Sequence, residues 1–151
     1  MIVGERIPAE MPRILVPAGE DPSLIRFAAK FAKAQNAAVM SIFVRDRTQP
    51  GFEHLSSRGR ETMTLAQDPA ARAAFQSMQR WCGEEGVPVL KIYSIHHCLG
   101  EVLLDHAVTW GVDAVIMGAT RRKELPPVEA GPHLTQVYAQ LPRSIPLVIH
   151  T

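Results

Sequence analysis

Apolar residues recur along the chain with two alternating periods. Short, nearly continuous apolar runs lie at Arg13-Ile-Leu-Val-Pro17, Ala38–Val44, Val87–Ile95, Ala114–Met117 and Leu147–His150. Runs of this length, bounded by Gly, Pro and polar residues, predict strands buried on both faces. Between them the period changes to 3.6. Leu24, Phe27, Ala28 and Phe31 form an i, i+3, i+4, i+7 stripe, and so do Leu99, Val102, Leu103, His106 and Trp110. Ala74, Phe75, Met78, Trp81 and Cys82 share one helical face, as do Leu134, Val137, Tyr138 and Leu141. Asp21-Pro22 and Asp68-Pro69 each set a capping residue before a proline suited to the first helical position. Asn36, Gly83, Gly86 and Gly111 mark helix ends.

The order is therefore β-α-β-α-β-α-β-α-β. Such alternation predicts a parallel sheet with helices on both faces. Lys91 and Ser94 interrupt the third strand, which predicts an edge or half-exposed position. Pro146 places the last strand at an edge too. Residues 1–12 are polar and Pro-containing and are read as an N-terminal arm or linker to a domain spanning 13–151. Arg45–Gln67 has no clear period and reads as a long surface loop.

The stretch around which the chain is organised is Ala114–Gly118, the basic loop behind it, and Gly131-Pro132-His133. A strand ending in Gly, a loop and a helix start put backbone N–H groups around a possible anion site. Arg121, Arg122 and Lys123 add cationic side chains. In open parallel sheets ligands bind beyond the carboxyl ends of the strands, at the switch point. The loops Pro17–Pro22 and Gly118–Gly131 are the ones to line it.

Composition narrows the classes. The chain has 151 residues, 46% hydrophobic and 21% charged, with a formal net charge of +1. That is one ordinary globular domain with no overall electrostatic case for nucleic acid. No apolar run approaches the roughly 18 residues of a membrane span, so no membrane insertion is expected. Two cysteines, Cys82 and Cys98, make no disulfide framework and suit a reducing compartment. The N-terminus has no signal-peptide core, and a cytoplasmic location is expected. His96-His97-Cys98 holds metal-ligating residue types, but adjacent residues rarely converge on one ion, and no metal is expected. His106 within an apolar stripe reads as a satisfied core histidine. Glu101 and Asp105 read as a solvated helix face. No catalytic constellation is found, and the chain is not expected to be an enzyme.

Several segments together resemble the universal stress protein family. They are Arg13–Pro17, Gly100-Glu-Val-Leu-Leu-Asp-His-Ala107, Trp110-Gly-Val-Asp-Ala-Val-Ile-Met-Gly118 and Leu141-Pro-Arg-Ser-Ile-Pro-Leu-Val-Ile149. The resemblance implies a five-stranded parallel sheet in the order 3-2-1-4-5. It also implies a homodimer through the last strand, here Leu147, Val148 and Ile149. Many members bind ATP through Gly-x2-Gly-x9-Gly-Ser/Thr. In this chain Gly118 holds the first position, Arg121 the second, Gly131 the third and Pro132 the hydroxyl position. An Asp after the first strand is matched by Gly19, with Asp21 two residues later.

Pro132 brings neither N–H nor hydroxyl, and Arg121 does not readily take the positive φ that glycine allows. Arginine can still bind anions by side chain. Three readings of the loop therefore stay open: a solvated basic loop, family-like adenine nucleotide binding, or another anionic ligand. The candidate ligand site is Pro17, Ala18, Gly19, Val44, Gly118, Thr120, Arg121, Arg122, Gly131 and His133. The expected function is that of a non-catalytic regulatory domain with weakened or lost ATP binding and no certain cofactor. Two alternatives remain. One is the cytosolic regulatory domain of an amino-acid permease or antiporter, with a transporter or signalling protein as partner. The other is an ATP-binding domain with weak hydrolysis.

Overall fold

The computed structural model describes residues 2–4, 7–19, 21–46, 65–96, 98–119 and 132–151. In chain order the elements are β1 (Ile2–Gly4), β2 (Arg13–Pro17), α1 (Pro22–Ala34) and β3 (Ala38–Asp46). A single 3₁₀ turn at Leu65–Gln67 precedes α2 (Pro69–Glu84), β4 (Val89–His96), α3 (Leu99–Trp110), β5 (Ala114–Gly118), α4 (Pro132–Gln140) and β6 (Leu147–His150). The strands form one sheet in the order β1-β4-β3-β2-β5-β6. β2 to β6 are mutually parallel, so the five parallel strands run 3-2-1-4-5 as expected. Among the described residues no helix is long and apolar enough to cross a membrane.

The predicted punctuation holds in atomic detail. Asp21 caps α1 by accepting from Ser23 N at 2.9 Å, with Pro22 opening the helix. Asp68 caps α2 by accepting from Ala71 N, and Gly111 ends α3 in the left-handed region at φ +56°. Strand alternation then divides the core in two. Ile14, Val16, Val39, Ala114 and Ile116 pack against α1 and α2. Leu15, Met40, Ile42, Ile92, Val115 and Met117 pack against α3 and α4. Leu15 and Val16 on the central β2 are both fully buried.

Three elements differ from expectation. Residues 2–4 are not merely part of an arm: β1 pairs antiparallel with β4, in the register Ile2↔Ile92, Val3↔Lys91, Gly4↔Leu90. Three residues are too few for a period to show. β4 is thus the last of the parallel strands but not the edge of the sheet. On α1 the buried positions are Leu24, Ile25, Ala28, Ala29 and Ala32, while Phe27 and Phe31 are only half-buried. The small alanines bring the helix onto the sheet, and the phenylalanines lie on its flank, where Phe27 stacks on His150 at 4.8 Å. Trp81 is likewise half-buried, with the guanidinium of Arg26 4.7 Å from its ring centroid. His106 is half-buried, and its Nδ1 lies 2.8 Å from Val102 O.

Ser41 is fully buried in β3, and its hydroxyl has no hydrogen-bond partner among the described residues. A buried hydroxyl without a partner costs desolvation energy with no return. Ser41→Ala is therefore expected to raise unfolding stability by about 1 kcal/mol, measured by urea denaturation.

Candidate functional site

Chain direction reverses at β2. α1 and α2 carry it to one side through β3 and β4, and α3 then returns it to β5 on the other side. The carboxyl ends of β2 and β5 are neighbours, and the loops leaving them diverge. A crevice of about 560 Å³ opens there. One wall is Pro17, Ala18, Gly19, Asp21 and Leu24; the other is Met117, Gly118 and Ala119. Leu99 at the start of α3, with His133 and Leu134 at the start of α4, complete it.

Backbone hydrogen bonds fix both walls. Ala18 N donates to Ile42 O at 2.7 Å, and Ala119 N donates to His150 O at 2.9 Å. A Cβ on Gly118 would stand 3.3 Å from Leu24 Cδ2, so the first turn of α1 lies close over the end of β5. Glycine permits that approach. Beside it, His150 Nε2 lies 2.9 Å from Ser23 Oγ and ties β6 to the same turn.

Of the residues proposed from sequence, Pro17, Ala18, Gly19, Gly118 and His133 come together in this crevice. Val44 does not line it. Val44 is half-buried and packs against the core cluster on the α3 and α4 side of the sheet. Thr120, Arg121, Arg122 and Gly131 lie outside the described residues, as do Lys123 and His97. Sequence reasoning missed Leu24, Leu99, Met117 and Leu134. They were read as core, and each is the member of its strand or stripe nearest the switch point. The described lining is mainly apolar, and its ionisable side chains are Asp21 and His133. Pro132, the first residue of α4, contributes no N–H at that helix start.

A charged network lies next to the crevice on the β3 side. Asp68 is fully buried and receives four donors. Arg45 Nη2 lies 2.6 Å from Oδ1 and Arg45 Nε 2.8 Å from Oδ2, a bidentate pair. Tyr93 Oη donates to Oδ2 at 2.9 Å, and Ala71 N donates to Oδ1 at 3.1 Å. The guanidinium sits 5.2 Å from the Phe43 ring centroid, and Phe43 stacks on Tyr93 at 6.2 Å. Ala18, a crevice residue, packs against the same cluster. Burial by itself would raise the Asp68 pKa, but the Arg45, Ala71 and Tyr93 hydrogen bonds outweigh it and hold the carboxyl below its ordinary range. Burial and the Asp68 carboxylate push the Tyr93 hydroxyl upward, so it stays a donor. An acid held ionised in this way is a structural counter-ion rather than a proton carrier. The pair was not legible because Arg45 and Asp68 are far apart in sequence and Asp68 already had a local explanation as a cap.

Elsewhere, Cys98 caps α3 and its thiol donates to Gln136 Oε1 at 3.2 Å. The Cys82 thiol is buried and pushed up to about 12 by desolvation and then by Glu85, which leaves it unreactive.

The family model that describes the universal stress protein family matches residues 11–145. The chain belongs to this family. Its fold is similar to that of a universal stress protein from Archaeoglobus fulgidus, at 15% identity and TM-score 0.67, covering 92% of this chain and 97% of that one. Universal stress protein UspA from Lactobacillus plantarum is similar at 18% identity and TM-score 0.67, covering 93% and 97%. A universal stress protein solved in complex with cAMP is similar at 14% identity and TM-score 0.62, covering 92% and 96%. No curated protein sequence matches the chain.

Asp68 provides a test of the network. Its folded-state pKa is lowered, so its stabilisation is complete above the unfolded value of about 3.9 and is lost as pH falls through the folded value. Stability of the native chain is expected to fall from about pH 4 downward. Asp68→Asn removes the carboxylate that holds Arg45 in a bidentate pair and is expected to cost about 3–5 kcal/mol at pH 7, with a flatter acid limb. Urea unfolding across pH measures both.

Proposed function

We propose that this universal stress protein domain is a non-catalytic regulatory module, works as a homodimer through β6, and has weakened or lost ATP binding. The observation that carries the nucleotide part is the crevice lining. Its described side chains include no Lys or Arg, and the guanidinium of Arg45, in the neighbouring cluster, is held bidentate by Asp68. Pro132 removes one N–H from the helix start where a phosphate would be received. The solved relative in complex with cAMP supports the view that this fold can hold a nucleotide, which makes the change of lining in this chain the deciding feature.

Thermal unfolding with ATP, AMP and cAMP tests it. A true ligand at about 100-fold excess over its Kd adds about 2.7 kcal/mol. No shift with ATP is the expected result. A clear shift would mean that the arginine loop has replaced the glycine cradle, and the reading of a weakened site would fail.

The dimer part rests on the β6 edge. Tyr138 and Ile149 are large exposed hydrophobics, at 74% and 45% exposure. With Leu141, Ile145 and Leu147 they line a groove of about 570 Å³ between α4 and β6. An edge of this kind needs a partner or a cover. Ile149→Lys is expected to halve the mass seen by sedimentation velocity while leaving cooperative unfolding intact. A native chain that sediments as a monomer, or a dimer that survives the substitution, would remove the homodimer from the proposal.

A further inference from the structure

β4 is an eight-residue strand, and among the described residues Leu90, Lys91 and Ile92 of it meet β1. β1 lies ahead of the residues matched by the family model. Beneath it β4 reads Val-Leu-Lys-Ile-Tyr-Ser-Ile-His, rich in residues that favour strands. A long apolar edge of this kind is a template for pairing with another chain, and a short covering strand is one way of blunting it.

We propose that the β4 edge is a latent self-association surface, that β1 holds it shut, and that its occupant when β1 leaves is the β4 edge of a second copy of this chain. Three observations favour that occupant. The edge already accepts an antiparallel neighbour, and two copies related by a two-fold axis present β4 to β4 antiparallel by symmetry. A second β4 offers up to eight residues of ladder where β1 offers three. Charge does not oppose the pairing: with the axis at Tyr93, Lys91 of one copy faces Ile95 of the other, and the two lysines are set apart. β1 prevails in the closed chain because residues 5–12 tether it to β2, which gives it an effective concentration on the order of millimolar.

The test uses the full chain with Ile149→Lys as parent, so that the β6 contact is absent and each result is read relative to that parent. Ile2→Pro with Val3→Pro removes whichever of the two N–H groups faces β4, since neighbouring N–H groups point to opposite edges of a strand, and opens β1. The opened variant is expected to double its sedimenting mass in a concentration-dependent way. Hydrogen exchange is expected to slow in residues 89–96 as concentration rises. Val3→Lys keeps the backbone intact, sets like charges opposite each other at Lys91 and is read in the same way; it replaces the proline variant if that one does not unfold cooperatively. An opened, cooperatively folded variant that keeps the mass of its parent overturns the proposal. So does an association whose protection lies away from β4. Neither result touches the β6 dimer, which the native chain tests separately.

Discussion

Everything in this molecule hangs on the pairing of β2 with a parallel neighbour on each side. β2 is first of the parallel strands in the chain and central in the sheet, and Leu15 and Val16 send opposite faces into two separate cores. Parallel neighbours cannot be joined by tight turns, so each step needs a helix, and the hand of that crossover is fixed. Two helices therefore cover one face and two the other. The chain must also leave β2 in one direction and return to β5 from the other. The crevice is the geometric residue of that reversal. It would be present whatever side chains lined it.

The lining decides what the crevice can do, and among the described residues it carries no Lys or Arg. The Arg45 guanidinium beside it is turned into the protein, over Phe43 and clamped by Asp68. Asp68 is at once a helix cap, a counter-ion and the acceptor for Tyr93. A carboxylate with so many donors stabilises the junction of β3, β4 and α2, and it has no protons to exchange near neutrality. The site that remains is mainly apolar, with Asp21 and His133 at its rim.

Much of this was readable in the chain. Continuous apolar runs and 3.6-residue stripes set the order of elements, and the Asp-Pro pairs gave the starts of α1 and α2 to the residue. Five of the proposed site residues meet in the crevice: Pro17, Ala18, Gly19 and Gly118 because they flank the ends of the two central strands, and His133 because α4 starts beside them. What was hidden is non-local. The Arg45–Asp68–Tyr93 network joins three segments, each of which had a sufficient local explanation. The rotation of α1 was hidden because alanine and phenylalanine count alike as apolar, although only alanine lets a helix lie close to a sheet. β1 was hidden because three residues carry no period. Val44 stands outside the crevice lining because which way a strand side chain faces depends on packing.

The Arg45–Asp68 clamp has one more consequence, for how this fold can change over evolutionary time. It joins the last residues of β3 directly to the cap of α2, so both ends of the intervening chain are held by contacts that do not involve that chain. Loop-closure entropy grows only logarithmically, by about 0.6 kcal/mol for each doubling of length. Between two anchors already held together, the entropy of the connection changes little with its length. A family built on a shared core can acquire new recognition elements at this place without having to refold around them.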